Sequence, residues 1–187
     1  MFSKLFGQIS ASFRTPTDTT ATDGVAGCDT MLSRFQGANG RRRLITALMG
    51  QEVIEHDEVL ATKIADIGIL DCIPPGTDFI VQGGKDNDIY FIVSGQADIY
   101  ANGQSVAIRD EHHCVGEMSL LDPAKPRAAT VRARTELVYV RIPEAQFQNV
   151  SRPHPKIWKA IAKMLAERLR QRNIFHRPPN PKPVLFI

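Results

Sequence analysis

The hydrophobic positions of the chain change their period near residue 70. From Arg41 onward, apolar residues recur three or four positions apart, the spacing of one face of a helix. They are Leu44, Ile45, Leu48, Met49 and Val53, followed by Val59, Leu60, Ile64 and Ile67. Asp57 and Glu58 precede the second set, and acidic residues stabilise the first turn of a helix. The pattern predicts two short antiparallel helices.

After Leu70 the chain divides into short segments that are rich in β-branched and aromatic residues. Turn pairs separate them, among them Ser94-Gly95 and Asn102-Gly103, and the second is typical of a tight hairpin. The six segments are TDFIVQG, DIYFIVSG, QADIYANG, QSVAIRD, RAATVRAR and ELVYVRI. Short strands at this spacing predict an antiparallel barrel or sandwich, and a jelly roll is one way to protect its edges.

A third pattern begins at Pro155, which suits the first turn of a helix, and predicts a helix to about Asn173. Its apolar stripe consists of Ile157, Trp158, Ile161, Ala162, Leu165 and Leu169. This stripe is also a candidate surface for pairing with a second copy, so we expect a homo-oligomer. Two interpretations of Trp158 stay open, because its ring suits either the hydrophobic core or stacking on a nucleotide base.

Both ends of the chain differ in composition from its centre. Residues 10–30 are dominated by Ser, Thr, Asp, Gly and Ala without an apolar period, which is typical of a mobile segment. The proline-rich run HRPPNPKP predicts a stiff linker, and VLFI after it resembles a buried strand. We therefore predict a flexible leader over 1–40, a folded body over 41–173, and over 174–187 a linker with the first strand of a truncated downstream domain.

Composition and cysteine usage narrow the class of protein. The chain has 187 residues, 43% of them hydrophobic, and a formal net charge of +3, which is typical of a soluble globular chain. No apolar run approaches the roughly 18 residues of a membrane span, so no membrane partner is expected. Cys28, Cys72 and Cys114 form no C-x-x-C pair. We expect three reduced thiols and a cytoplasmic protein.

The basic residues are concentrated near the C-terminus. Between residues 151 and 183 there are nine Lys or Arg residues and one acid, Glu167. Such a stretch either binds an anionic partner or forms the solvated face of a helix. The basic residues lie mainly off the apolar stripe, which favours the solvated face, and no nucleic-acid partner is expected.

The segment between Gly116 and Thr130 carries the chemistry that is easiest to interpret. Ser119 and backbone N–H groups at the start of a short helical turn can hold an anion. Arg127 offers a forked set of donors that suits two phosphate oxygens. Glu117 can accept hydrogen bonds from a sugar hydroxyl. Together these groups describe a site for a ribose phosphate, although an isolated Glu and Arg at this spacing more often form a surface ion pair.

The sequences GEMSLL and PRAAT resemble the phosphate-binding cassette of the cyclic nucleotide-binding domain family, the type found in catabolite regulators and in protein kinase A regulatory subunits. The resemblance implies an eight-stranded β jelly-roll barrel with N-terminal helices and a C-terminal capping helix. It implies that Glu117 binds the ribose 2′-hydroxyl, Arg127 binds the cyclic phosphate and Thr130 faces the base. The implied ligand-binding positions are Gly116, Glu117, Met118, Ser119, Arg127, Ala128, Ala129 and Thr130.

The resemblance also suggests a ligand and an output. PKPVLFI resembles the opening strand of Toll/interleukin receptor-like domains in bacterial antiphage effectors of the pyrimidine cyclase system. This implies cUMP or cCMP as the ligand, and a downstream effector domain of the same chain that oligomerises and cleaves NAD⁺. Nothing in these 187 residues argues for catalysis. Three alternatives stay open: a regulatory module for cAMP or cGMP, a transcription regulator, and a domain that keeps the fold without a ligand.

Other candidate motifs are weaker. Adjacent strand residues point to opposite faces, so Glu111-His112-His113-Cys114 does not predict a metal site. Asp86-Asn87-Asp88 lacks the spacing of a calcium loop and is interpreted as a turn. Gly83-Gly84-Lys85 lacks the remaining residues of a nucleotide-triphosphate loop. We therefore expect no metal and no cofactor besides the cyclic nucleotide.

Overall fold

A computed structural model describes residues 20–175, and the side chains of 27–172. The helices are α1 (Thr20–Ser33), α2 (Gly37–Met49), α3 (Glu58–Ile67), α4 (Glu117–Leu121), α5 (Glu144–Ser151) and α6 (Lys156–Phe175). The strands are β1 (Ile69–Ile73), β2 (Asp78–Ile80), β3 (Ile89–Ser94), β4 (Gln96–Ala101), β5 (Gln104–Asp110), β6 (Cys114–Val115), β7 (Thr130–Ala133) and β8 (Leu137–Ile142). The predicted linker and VLFI strand lie outside the described residues, apart from the end of α6.

The strands form two antiparallel sheets of four, ordered β1-β8-β3-β6 and β2-β7-β4-β5. The eight-stranded jelly-roll fold with flanking helices is confirmed, although the two sheets do not close into one barrel. Each of the six predicted segments contains a strand. The strands without a counterpart among those segments are β1, which directly follows α3, and β6, which is two residues long.

Two hydrophobic clusters hold these layers together. Phe91 and Val140 face the helices, whereas Ile92 and Tyr139 pack between the sheets. Strands β3 and β8 are therefore buried on both faces, which explains their nearly continuous apolar sequences IYFIV and LVYV. The two faces of the first sheet thus contribute to different clusters, and this sheet lies between the helices and the second sheet.

The two helices predicted from the periodicity are confirmed as α2 and α3. Asp57 is the N-cap of α3, and its Oδ1 accepts a hydrogen bond from the backbone N–H of Leu60 at 2.9 Å. Val53 lies in the connection between the helices, where it is buried in the core instead of extending α2.

The N-terminal region differs from the prediction. Residues 20–33, placed in the flexible leader, form α1, which packs on β1. This packing brings the Cα atoms of Cys28 and Cys72 to 5.4 Å, and the two residues form a disulfide. The expectation of three reduced thiols is therefore wrong, and only Cys114 has a free, buried thiol. The cysteine pattern no longer argues for a reducing compartment. The division of the chain at residue 40 stays a prediction.

The last helix, α6, was expected from about residue 155 and runs from Lys156 to Phe175. Ile157 and Ile161 are buried in the helical core, whereas Leu169 is 59% exposed. The ring of Trp158 meets that of Phe147 edge-on with centroids 5.6 Å apart, which favours the core interpretation of Trp158. Among residues 20–175, no helix is both long and apolar enough to cross a membrane.

Candidate cyclic nucleotide site

The cassette begins at Gly116, which lies between β6 and α4 and has a left-handed backbone, with φ of 88°. A Cβ atom at this position would lie 2.5 Å from the carbonyl oxygen of Asp88 and 2.8 Å from Nη1 of Arg127. Both the backbone conformation and the lack of space therefore require glycine here. The close approach lets the Gly116 carbonyl accept a hydrogen bond from Arg127 at 3.2 Å.

The backbone of Arg127 is held by the turn after β2. Its N–H donates to the carbonyl of Gly84 at 2.8 Å, and its carbonyl accepts from the N–H of Gly83 at 2.9 Å. The residue is 3% exposed although its side chain is charged. A buried guanidinium needs a full set of acceptors, because an unpaired buried charge is costly.

The guanidinium of Arg127 has that full set. Nη1 donates to Gly116 and to Oγ of Ser119, the latter at 3.2 Å, and Nη2 donates to the carbonyl of Asp88 at 2.8 Å. Nε and Nη2 both donate to Oδ2 of Asp86, with 3.1 Å for Nε. The five bonds equal the five N–H donors of an arginine. Ser119 accepts here, so its own O–H proton remains available for a ligand oxygen.

The Asp86-Asn87-Asp88 segment, interpreted from the sequence as a turn, supplies two of these acceptors. Asp86 uses its carboxylate, which is half exposed, and Asp88 uses its carbonyl. The side chain of Asp88 in turn accepts from Nη1 of Arg141 at 2.7 Å. This role was not predicted from the sequence, because Asp86 and Arg127 are 41 positions apart and meet only through the sheet topology.

Glu117, the first residue of α4, binds a different partner. Its residue exposure is 5%, and Oε1 accepts from Nη1 of Arg168 on α6 at 2.6 Å. Nη2 of Arg168 also donates to the carbonyl of Cys114 at 3.0 Å. Arg168 thus joins α6 to the cassette. The prediction of a solvated basic face does not hold for Arg168, because its side chain is only 16% exposed, unlike those of its basic neighbours.

Not every predicted site residue lies with these groups. Met118 is 55% exposed, Ala128 is exposed and Ala129 is half-buried. The structure gathers Gly116, Ser119 and Arg127 by direct hydrogen bonds and places Glu117 next to them on α4. The ligand contacts predicted for the alanines and for Met118 stay predictions.

Thr130 starts β7 and faces away from the space between the sheets. Its neighbours Val131 and Ala133 are buried, so Thr130 and Arg132 share the outer face of the strand. Its Oγ1 accepts a hydrogen bond from the backbone N–H of Gln82 at 2.9 Å. Contact between Thr130 and the base stays a prediction, and the position of Thr130 on the outer face of β7 gives no evidence for that contact.

The residues around Cys114 do not form a metal cluster in the described part of the chain. Burial raises the pKa of the Cys114 thiol well above its ordinary value, and the nearby Glu117 raises it further. His113 is bound by Asp110, with Nδ1 2.6 Å from Oδ1. Cys114 therefore acts as a small core residue and His113 as a partner of surface carboxylates.

The sequence is similar to those of known proteins. Residues 71–154 match the family model described as the cyclic nucleotide-binding domain. The chain is 38% identical over 143 residues to the Pycsar effector protein XpPycTIR of Xanthomonas perforans, covering 76% of this chain and 47% of that protein. It is 36% identical over 157 residues to BcPycTIR of Burkholderia cepacia, covering 84% and 52%. The chain thus spans about half the length of these relatives.

The fold has solved counterparts as well. The structure of cAMP-bound PfPKA-R superposes with a TM-score of 0.64 at 19% sequence identity, covering 74% of this chain and 48% of that one. At this identity the likeness concerns the fold alone. The family match over residues 71–154 includes the cassette, and the shared fold is that of the same type of domain. The chain therefore carries a domain of the cyclic nucleotide-binding family.

Proposed function

We propose that this chain is a sensor that binds a cyclic mononucleotide and passes the signal to an effector domain. The observation that carries the proposal is the buried Arg127, held by Gly116, Ser119 and Asp86 in a family cassette. A buried cation with a planar fork is suited to two oxygens of a phosphate.

The proposed binding mode follows from the state of the Arg127 donors. All five are occupied by protein acceptors, so a phosphate has to take over or share some of them. The bonds to Asp86 are the accessible ones, because that carboxylate is half exposed whereas the Arg127 side chain is 2% exposed. The phosphate therefore takes the place of the Asp86 carboxylate on Arg127. The Ser119 hydroxyl donates a hydrogen bond to the phosphate.

The ribose is assigned to Glu117. Arg168 occupies Oε1, and Oε2 has no hydrogen-bond donor among the described residues. A ribose 2′-hydroxyl that donates to Oε2 thus adds to the existing bond instead of competing with it. Ligand and α6 then share one carboxylate, which couples occupancy of the site to the position of the last described helix.

We favour cUMP or cCMP as the ligand, with an antiphage effector as the whole protein. The support is the similarity to relatives named Pycsar effector proteins and the resemblance of PKPVLFI to a Toll/interleukin receptor-like domain. In this proposal the downstream domain cleaves NAD⁺ after ligand-driven homo-oligomerisation in the cytoplasm. A response to cAMP or cGMP is the second candidate, and the support for it is the resemblance of the cassette to that of protein kinase A regulatory subunits.

Calorimetry of this chain with cUMP, cCMP, cAMP and cGMP tests the binding step, and Arg127→Ala serves as the negative variant. Binding of at least one nucleotide by the wild-type chain, and its loss in the variant, is the expected result. For the output, the full-length gene product is incubated with NAD⁺ and each nucleotide, and released nicotinamide is measured. If none of the four nucleotides binds, the sensor proposal fails.

A further inference from the structure

Arg109 on β5 faces the space between the two sheets. It is paired in register with Ala97 of β4, and paired residues of antiparallel strands lie on the same face. Ala97 is fully buried in the cluster between the sheets, whereas Ile108, the neighbour of Arg109, is 44% exposed on the opposite face. A half-buried arginine therefore points inward at the edge of the second sheet.

Arg109 lies near the end of β5, close to the pair formed by Glu117 and Arg168. It directly precedes the turn in which the N–H of His113 donates to the carbonyl of Asp110 at 3.2 Å, and this turn leads into β6, where Arg168 binds the Cys114 carbonyl at 3.0 Å. The charged groups that act most on Arg109 are Arg168, Glu117 and Glu52, and burial together with repulsion from Arg168 lowers its pKa.

Arg109 differs in its partners from the other arginines that are at least partly buried. Arg127, Arg141 and Arg168 each bind a carboxylate. Within the described part of the chain, Arg109 forms no such pair, and its one hydrogen bond runs from Nη1 to the carbonyl of Ile108 at 2.9 Å. Most of its donors thus lack a protein acceptor, and a partly desolvated cation in this state suits an incoming acceptor.

We propose that Arg109 contacts the base of the bound cyclic nucleotide and selects bases that carry a carbonyl oxygen. The inference rests on the proposed function, in which Arg127 binds the phosphate and Glu117 the ribose. In a nucleotide the ribose lies between phosphate and base, so a second cation near the ribose carboxylate, other than the arginine assigned to the phosphate, is available to the base.

The chemistry of the guanidinium sets the preference. It offers donors only, so it pairs with the oxygens of uracil, cytosine or guanine. Adenine has no carbonyl: its ring nitrogens accept through one lone pair each, and its amino group is itself a donor. Arginine prefers carbonyl-bearing base edges for the same reason in nucleic-acid recognition, where a good bidentate contact contributes about tenfold or more in discrimination.

The test compares dissociation constants for cUMP, cCMP, cGMP and cAMP between the wild-type chain and Arg109→Met. Methionine keeps much of the side-chain volume without any donor. Arg134→Met is the matched control, because Arg134 pairs with Asp98 on the opposite face of the same sheet. We expect Arg109→Met to weaken the carbonyl-bearing ligands by about tenfold and cAMP by less than about threefold. The control should leave all four affinities within about twofold.

The outcomes separate the two proposals. If the wild-type chain binds none of the four ligands, the proposed function fails, and the role of Arg109 fails with it. If the wild-type chain binds and Arg109→Met weakens all bound ligands equally, only the base-selecting role is overturned. Arg109→Gln stays polar but adds an acceptor that can take the amino group of adenine, and its melting temperature and affinity ratios replace those of Arg109→Met if the latter does not fold. A loss of the preference for carbonyl-bearing bases in Arg109→Gln supports the proposal, and an unchanged ratio overturns it.

Discussion

Arg168 on α6 donates a hydrogen bond to Glu117 in the cassette across 2.6 Å, and 51 residues separate the two in sequence. The bond is shielded from solvent, with side-chain exposures of 16% for Arg168 and 7% for Glu117. A charge-assisted hydrogen bond is stronger than a neutral one, and a pair that is mostly buried is screened less by salt than an exposed pair. The pair therefore links the position of α6 to the cassette.

Replacing Arg168 with alanine should release α6 from the cassette and leave the Glu117 carboxylate buried without its partner. We expect faster amide hydrogen exchange in α6, and a smaller ligand-induced change in that exchange, by mass spectrometry. Arg170→Ala is the matched control, because Arg170 forms an exposed pair with Glu167 on the same helix, a type of pair that contributes little. Equal exchange in the two variants would contradict the link.

Replacing Arg127 with alanine should weaken cyclic nucleotide binding by roughly 100-fold or more, since at least two charge-assisted hydrogen bonds are lost. Arg127→Lys should also weaken binding, because a single ammonium cannot reproduce the fork. Calorimetry measures both. Arg132→Ala, on the outer face of the second sheet, should bind as the wild-type chain does. If Arg127→Ala kept the wild-type affinity, the proposed role of Arg127 in binding the phosphate would be contradicted.

Gly116 and Gly103 allow the effect of space to be separated from that of backbone conformation. Both have a left-handed backbone, with φ of 88° and 77°, but a Cβ atom meets close neighbours only at Gly116. Alanine at either position should cost about 1 kcal/mol or more in the free energy of unfolding. Only Gly116→Ala should lose ligand binding, because it displaces Arg127. Denaturant melts and calorimetry check this pair, and equal binding by both variants speaks against the clash.

Asp57 gives a pH dependence of stability. The Leu60 N–H, followed by His154, holds the pKa of this carboxyl below its ordinary 3.8. A lowered folded-state pKa stabilises the protein above the unfolded-state pKa, and this contribution is lost as the pH falls through the folded value. Asp57→Ala should therefore cost about 1 kcal/mol at pH 7 and less near pH 3. Denaturant melts at both pH values measure the difference, with exposed Asp66→Ala as the control.

The disulfide between Cys28 and Cys72 predicts a thiol count. Without reductant, the unfolded chain should give one reactive thiol, from Cys114, and three after reduction. Opening the bond should lower the free energy of unfolding by about 2–4 kcal/mol. Thiol titration and denaturant melts with and without reductant measure both quantities. Three thiols in the unreduced, unfolded chain would show that the bond is not formed.

The regular part of the fold was predictable because it has a period. Helices α2 and α3 follow from apolar spacing, and the six strand segments were recognised by their β-branched and aromatic residues and, in three of them, by the glycine that ends the segment. Strand β6 was not predictable from the pattern because two residues have no period. Helix α1 was not predicted because its residues lack an apolar stripe. Without this helix, the approach of Cys28 to Cys72 could not be predicted either.

The candidate site was predictable only in part. The cassette residues follow one another in sequence, so Glu117, Ser119 and Arg127 could be named from the motif. Their partners Asp86 and Arg168 come from distant segments, and the fold alone brings them together. Charge patterns along one helix gave no reason to separate Arg168 from its exposed neighbours.

The saturated guanidinium of Arg127 also bears on how a sensor resets. Its five donors all have protein acceptors, so the protein alone satisfies this buried cation. Ligand binding is then an exchange, and its net free energy is the difference between two sets of bonds. Release likewise returns the arginine to a satisfied state. The threshold concentration of such a sensor is set by this difference, and substitutions at Asp86 can adjust it without altering the arginine itself.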